Sequence, residues 1–553
     1  VTATWFDGVT ITVEFSPTTN PGSAPSWVDI TADVMAISIN RGRATEFDTF
    51  QAGTASVRLK NDTRTYDPLY SAGTYFGNLL PMRRMRIRVT YSAVTYDLFH
   101  GFVEGWPQVY DVGGKWSESN VSLVDGFKVL ANTYLPDSVY AIEVAADSPS
   151  LWYRLGEVGG TVANESRATG KDGTYAASVA AGGTGLIYGS TNGSAVFDGA
   201  SQSVSIPTNS PPSTGVFSIE AWLQPSASVV ASSTYIAVGY SGNKAGVYEI
   251  CDFTYTAAVS PASDTINVVT GTGLGTAVLS VSGARRGQTN YLAITCDGTT
   301  TTAYLNNSNT GSTAVANRQF GPNSYLIGQY IGSDGGYSAS QPWFGLIDEV
   351  AVYPTTLSVG RIAAHYTAGT TPWSGDDTGA RVGRVLDAIG WPSADRIIGT
   401  GSTILGPASL NAANALAYLQ DLERTEQGQL YVDGASKVVF RNRLYRLTNT
   451  KATTSQGIFS TVAGATNPIA SLEFQRDDSR IINGGTYQRD GGVPVSVSDA
   501  TSVTTYLQRY ESMSGLKGQS DTEVRDLGNW RVNLYKNPQD RLPTLTLTPR
   551  AAP

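Results

Sequence analysis

The sequence predicts a mainly β protein of several domains, with a smaller α+β region in its second half. Three observations carry this. Short runs that alternate apolar and polar residues, such as TASVRLKN and RMRIRVTY, recur between Gly, Asn, Asp and Pro over most of the chain. The chain is rich in Gly, Thr, Ser, Val and Tyr and only 15% of residues are charged, as suits strands joined by polar turns. A length of 553 residues exceeds what one core serves, so three or four domains are expected.

Residues 1–140 read as strand after strand, a β-barrel or sandwich, ending in a short helix at NVSLVDGFKVLAN. In MRRMRIRV, alternation sets Arg84, Arg86 and Arg88 on one face and Met85, Ile87 and Val89 on the other. The basic face is read as solvated or subunit-pairing. Residues 147–369 keep the strand rhythm with Gly- and Ser-rich connections and close on the helix LSVGRIAAHY. There Ser358 is the expected N-cap, and Val359, Ile362, Ala363 and Tyr366 share a face. The linker TAGTTPWSGDDTG marks a boundary. In residues 376–470 the period becomes helical. ARVGRVLDAIGWP is an amphipathic helix ended by Gly390 and Pro392, and SLNAANALAYLQDLERTEQG is a second. QLYVDGASKVVFRNR follows as a hairpin with its turn at Asp433-Gly434. Residues 471–553 return to strands, so 147–369 lies between two regions that contain strands.

Composition also excludes functions. A net charge of −8 gives no electrostatic reason to bind nucleic acid, and no stretch approaches the ~20 apolar residues of a membrane span. VTATWFDGVTITVEF lacks the basic region and apolar core of a signal peptide, so folding in a cytoplasm is expected. Cys251 and Cys296 are too few for a disulfide scaffold and are expected as buried thiols. The histidines are His100 and His365, and HExxH, a Cys-His cluster and Gly-x-Ser-x-Gly are absent. The chain is therefore expected not to be an enzyme.

In order along the chain, SLWYRLGE, AVFDGASQSVSIP, FSIEAWLQP and FGLIDEVAVYPTTLSVGRIAAHYTAG resemble laminin-G-like domains of the concanavalin A superfamily. The resemblance implies a concanavalin-like jelly-roll sandwich over 147–369 that binds a surface glycan or protein. If its first and last strands pair, such a domain sits in a surface loop at small entropic cost. The hydrolases of this superfamily carry Glu-x-Asp-x-x-Glu on one strand. Here Glu220 is alone on its strand, and Asp348 and Glu349 fall on opposite faces of theirs. A sugar platform is expected where Glu220 and Trp222 share a strand face, with Tyr240 and Tyr248 on neighbouring segments and Asp334 and Tyr337 in an exposed loop. The alternative for Trp222 is a core position between two sheets. No cofactor is required. The resemblance implies a structural Ca²⁺ at the sheet rim on Asp198 and Asp348, against which stand a turn made by Asp198 with Gly199 and a strand cap made by Asp348.

The flanks carry a second resemblance. ITADVMAISINRGRATEFDTFQAGTASVRLKNDTRTYDPLY and YDLFHGFVEGWPQVY upstream, with DSRIINGGTYQRDGG and WRVNLYKNPQDRLPTLTL downstream, are similar to tail hub (baseplate hub or minor tail) proteins of long-tailed bacteriophages. This implies a virion structural protein of the tail tip, made in the host cytoplasm. It would form a homo-oligomeric ring, a trimer by resemblance, and meet the distal tail protein, the tape-measure protein and other tail-tip proteins. The insert would touch host cell-wall polysaccharide during adsorption. Two alternatives stay open: a distal tail ring protein, and a secreted polysaccharide-acting enzyme with a lectin module.

Overall fold

The structure, a computed structural model, describes residues 4–6, 9–43, 48–111, 116–167, 170–176, 180–200, 202–207, 215–244, 247–272, 275–314, 323–329, 341–460, 462 and 469–547. The fold is mainly β, with several sheets and few helices. The chain divides into two units. The first comprises Val1–Leu135, Ser374–Gly406 and Ala413–Pro553, and the second Pro136–Trp373 and Pro407–Ala412. Among the described residues, no helix is long and apolar enough to cross a membrane.

In the first unit, the alternating runs before Leu135 assemble into a nine-stranded antiparallel sheet. Its central strands are Val9–Ser16, Arg84–Tyr91, Val94–Gly105, Ser117–Val124 and Thr54–Lys60, in that order. Alternation buries one face of this sheet, including Val13, Phe15, Val57, Leu59, Met85, Ile87 and Val121. The Arg84–Arg88 stripe lies on the other face but is not simply solvated. Register sets Glu14 opposite Arg86, and Arg86 and Arg88 each approach its carboxylate at 2.6 Å. Burial acts to raise the Glu14 carboxyl, but the two guanidinium groups hold it below its ordinary value. The Arg86 guanidinium also sits 4.3 Å from the Trp27 ring centroid.

Later in this unit, helix Thr378–Ala388 is capped by the Asp377 side chain and helix Ala415–Glu426 by Asn414. Gly390 takes a left-handed φ of +71° and donates its N–H to the Asp387 carbonyl, ending the first helix where expected. The hairpin of Gln429–Val432 with Val438–Arg441 forms, but its left-handed residue is Ser436, not Gly434. Asp433 decides this by accepting from the Ala435 and Lys437 N–H groups, which widens the loop beyond two residues. Helix Asp521–Tyr535 packs Val524, Leu527 and Val532 onto Tyr487, Val497 and Leu516 of a three-stranded sheet.

In the second unit two sheets enclose one core. Phe344–Tyr353, Val216–Pro225 and Asn290–Asp297 are successive strands of an eight-stranded sheet, and Thr234–Lys244, Val247–Thr256 and Thr265–Thr272 are successive strands of a nine-stranded one. Phe217, Ile219 and Ala221 point into this core beside Phe253, Tyr255, Ile266 and Val268. Cys296 joins them as a buried free thiol, and the Cys251 side chain lies outside the description. The first and last strands pair, with Leu151 opposite Val352 and Tyr153 opposite Val350. Helix Val139–Ala146, capped by Ser138, precedes the sandwich, and helix Val359–Thr370, capped by Ser358, follows it. Of the face expected for the closing helix, Ile362 is buried but Val359 is 59% exposed; His365 and Gly369 complete the buried stripe instead.

A fragment spanning 136–373 is expected to unfold cooperatively by circular dichroism. One spanning 147–369 loses the opening helix with Tyr140 and Val144, both 0% exposed, and should be less stable by about 3–5 kcal/mol. Equal stability of the two fragments would show that this helix is not part of the domain.

Candidate functional site

Alternation sends Ser218, Glu220 and Trp222 to the outer face of the eight-stranded sheet, opposite Phe217, Ile219 and Ala221. That face is expected to be an open sugar platform, and the structure corrects this. Glu220 is 0% and Trp222 1% exposed, because the helices Val139–Ala146 and Val359–Thr370 pack over them. Trp222 stacks on Tyr366 with ring planes 3° apart and meets Tyr291 at 4.9 Å. A Cβ at Gly369 would lie 2.2 Å from the Trp222 ring, so the closing helix reaches the sheet only with glycine there.

Glu220 accepts hydrogen bonds from the hydroxyls of Tyr140 at 2.9 Å, Tyr291 at 2.5 Å and Tyr353 at 2.6 Å. His365 Nδ1 lies 2.9 Å from its Oε2, and His365 Nε2 lies 2.8 Å from Asp147 Oδ2. A neutral imidazole has one N–H, so donating to two carboxylates requires the doubly protonated ring. Arg361 extends the row, donating to Asp147 at 2.7 Å and to Glu143 at 2.7 Å. Burial works against both charges. It pulls the His365 pKa down, but Glu220 and Asp147 raise it above its ordinary value; it pushes Glu220 up, but His365 and the tyrosines hold it below. Burial, then the Glu220 charge, raises all three tyrosines far above theirs.

A second buried acid group sits on the closing strand. Two residues there oppose Ala221, forming a β-bulge in which Glu349 has a φ of +51°. Glu349 accepts from Trp152 Nε1 at 2.6 Å and from Arg154 at 3.0 Å, while Arg154 also pairs with Asp137 at 2.7 Å. Burial raises the Glu349 carboxyl to about 7 against the pull of Arg154. Asp348 accepts from the Leu186 N–H at 2.9 Å, and among the described residues its Oδ1 has no partner. Burial first, and then the Glu349 charge, raises it well above the carboxylate range.

The expected calcium pair does not converge. Asp198 is exposed and makes the local turn, accepting from the Ala200 N–H at 2.9 Å. It lies opposite Phe344, four residues along the strand from Asp348, or roughly 13 Å at the rise of a strand. Among the described residues no group of three or more His, Cys, Asp or Glu is placed to hold a metal. These two aspartates do not fit a shared Ca²⁺. Tyr240 and Tyr248 fall on adjacent strands, opposite Cys251 and Asn243, and their side chains lie outside the description. Asp334 and Tyr337 lie outside the described residues. Sequence reasoning missed His365, Asp147, Arg361, Glu143 and Tyr140. The signal available was the pairing of two four-residue spacings, Glu143 with Asp147 and Arg361 with His365, at the two ends of one domain.

Residues 198–363 match the family described as the concanavalin A-like lectin/glucanases superfamily, so the second unit holds a laminin-G-like domain. No curated protein matches the chain. Among solved structures, domain 4 of a GH43 extracellular arabinanase from Geobacillus stearothermophilus, in complex with arabinotriose, is 16% identical. That match covers 40% of this chain and 98% of the other, with a TM-score of 0.28. A Trypanosoma rangeli sialidase in complex with sialic acid is 11% identical over 66% of this chain and 61% of its own, with a TM-score of 0.30. A heptameric SAP-like pentraxin from Limulus polyphemus is 14% identical over 38% and 88%, with a TM-score of 0.23.

The raised His365 contributes stability that is fully present below its unfolded pKa of about 6.5 and is lost as pH rises through the folded value. The lowered Glu220 contributes above its unfolded pKa and is lost as pH falls through the folded one. The melting temperature of the 136–373 fragment should therefore drop as pH rises above the ordinary histidine value of about 6.5. His365→Gln should flatten that limb and cost about 3–5 kcal/mol by stranding Glu220; an unchanged alkaline limb would show that the ring is neutral. Asp348→Asn keeps the acceptor for Leu186 and removes the ionisation, so it should melt no lower than wild type at pH 8. A Ca²⁺-dependent melting temperature that Asp348→Asn abolishes would restore the calcium reading.

Proposed function

We propose that this chain is a structural, non-catalytic glycan-binding protein, its second unit holding a polysaccharide and its first unit building a phage tail tip. The observation that carries the binding half is the lectin/glucanase family match over 198–363, on a sandwich whose Glu220 and Glu349 are buried among internal donors. Glycoside hydrolysis needs two carboxyl groups about 5–9 Å apart astride the bond, reachable by substrate. Glu220 and Glu349 are each 0% exposed, and their oxygens already accept from tyrosine, histidine, tryptophan and arginine. With the outer face of the eight-stranded sheet covered, the reading places the glycan on the nine-stranded sheet. Tyr240 and Tyr248 belong to its strands, and Asp334 and Tyr337 come after its strand Asn323–Ile327 in the sequence.

The resemblance of the flanking segments to tail hub proteins supports the assembly half. On that reading the protein is a trimeric ring in the virion, made in the host cytoplasm, in contact with the distal tail and tape-measure proteins. The mass of the virion-extracted assembly tests it: three copies support the hub, whereas six copies favour a distal tail ring and a monomer in every condition removes both.

The 136–373 fragment should be retained on host cell-wall polysaccharide and release no new reducing ends. Sugar release at an enzymatic rate that Glu220→Gln abolishes would make the chain an enzyme. Replacing 136–373 by a short Gly/Ser linker should leave tails intact and weaken adsorption.

A further inference from the structure

The first unit holds a cavity of about 180 Å³. Its walls come from the end of helix Ala415–Glu426, strand Tyr510–Leu516, helix Asp521–Tyr535 and the loop residues Arg43, Asp48 and Thr49. Glu423 lines it and is 4% exposed. One of its oxygens, Oε1, accepts from the Leu430 N–H at 2.9 Å; the other, Oε2, is buried and has no partner among the described residues. Leaving a buried carboxyl oxygen unpaired is costly, and such atoms in folded proteins usually meet a partner.

The charges around Glu423 define that partner. Arg43, Arg424 and Arg531 line the cavity, with Asp48 and Glu511 as the facing acids. Glu511 is engaged by Arg531 and by the Tyr487 hydroxyl, the latter at 2.7 Å. Arg531, 8% exposed, also donates to Gln427, which fixes its plane at the cavity wall. Gln427 holds a left-handed φ of +56° at the helix end and ties its own amide to the Arg424 carbonyl at 2.6 Å. With Glu423 protonated, the three guanidinium groups outnumber the acids Asp48 and Glu511, which disfavours an amine or a metal cation, and the small volume disfavours a bulky anion.

We propose that this cavity binds a carboxylate group, held by the Arg43 and Arg424 guanidinium groups and by a proton donated from Glu423 Oε2 to one of its oxygens. Burial, opposed by the Arg43 charge, raises the Glu423 carboxyl to about 7, so the proton is available from solvent at neutral pH. No covalent bond forms between ligand and protein; above pH 7 the Glu423 carboxylate takes up one proton from solvent as the ligand enters and keeps it, donating it in a hydrogen bond to the ligand oxygen. The carboxylate comes either from a free small acid or from an Asp or Glu side chain of a partner protein.

Calorimetric titration of the full chain tests this with two probes, sodium acetate and an aspartate blocked at both backbone ends. Saturable acetate binding is expected at pH 6. It should weaken about ten-fold at pH 8, the change for a required proton on a group titrating at about 7. Arg424→Ala, at a side chain 40% exposed, should weaken binding about five-fold or more at both pH values. Glu423→Gln keeps a donor at that position and should bind within about two-fold of the pH 6 affinity, with the pH dependence gone. Tighter binding of the blocked aspartate assigns the cavity to a partner's side chain, and equal binding assigns it to a free acid. Absence of saturable binding at pH 6, displacement by equal chloride, or a wild-type affinity that does not fall at pH 8 would each overturn the proposal.

Discussion

A single imidazolium between two carboxylates governs the second unit. His365 lies 2.9 Å from Glu220 and 2.8 Å from Asp147, with no solvent exposure of its own. Charges so buried are tolerated only when opposite charges and hydrogen bonds satisfy them fully, and three tyrosine hydroxyls complete the shell around Glu220. Removing any one member strands another. The consequence is geometric: the helix that opens the unit and the helix that closes it must both lie on the same sheet face. Together with the pairing of Leu151–Tyr153 and Phe344–Tyr353, this joins the two ends of the unit twice. A domain whose ends are held together in this way can interrupt another chain segment without straining it.

The same constraint closes one face of the sheet. The sheet face that would carry a hydrolase's carboxylates is occupied by helices, and Gly369 lets the closing helix come close enough to bury Trp222. The closing strand repeats the theme through its bulge, which aims Glu349 at Trp152 and Arg154. Acids that a sequence reader would offer to substrate are instead the internal framework of the domain.

Buried acids in this chain fall into three states, and their partners decide which. Glu220 is ionised because a cation and three hydroxyls face it. Asp348 has one backbone donor and an acidic neighbour, so burial prevails and it keeps its proton. Glu423 lies between, with one backbone donor and Arg43 nearby. Burial acts in one direction on all three, and only the local count of donors and cations differs.

Local pattern made much of the fold legible. Alternation set Phe217, Ile219 and Ala221 inward and Glu220 and Trp222 outward, and the cap at Ser358 and the stop at Gly390 followed from a hydroxyl side chain and a glycine at the helix ends. These features need only a residue and its near neighbours. What covers a face does not have that property. Whether Glu220 meets water or tyrosines depends on helices that lie 80 residues before and 145 after it in the chain. His365 reads as a polar interruption of an apolar helix face until Glu220 and Asp147 are set beside it. The strands, their inward faces and the lectin-like class of the second unit were therefore readable along the chain. Which acids are buried was not, because desolvation and pairing depend on groups that come together after the chain has folded.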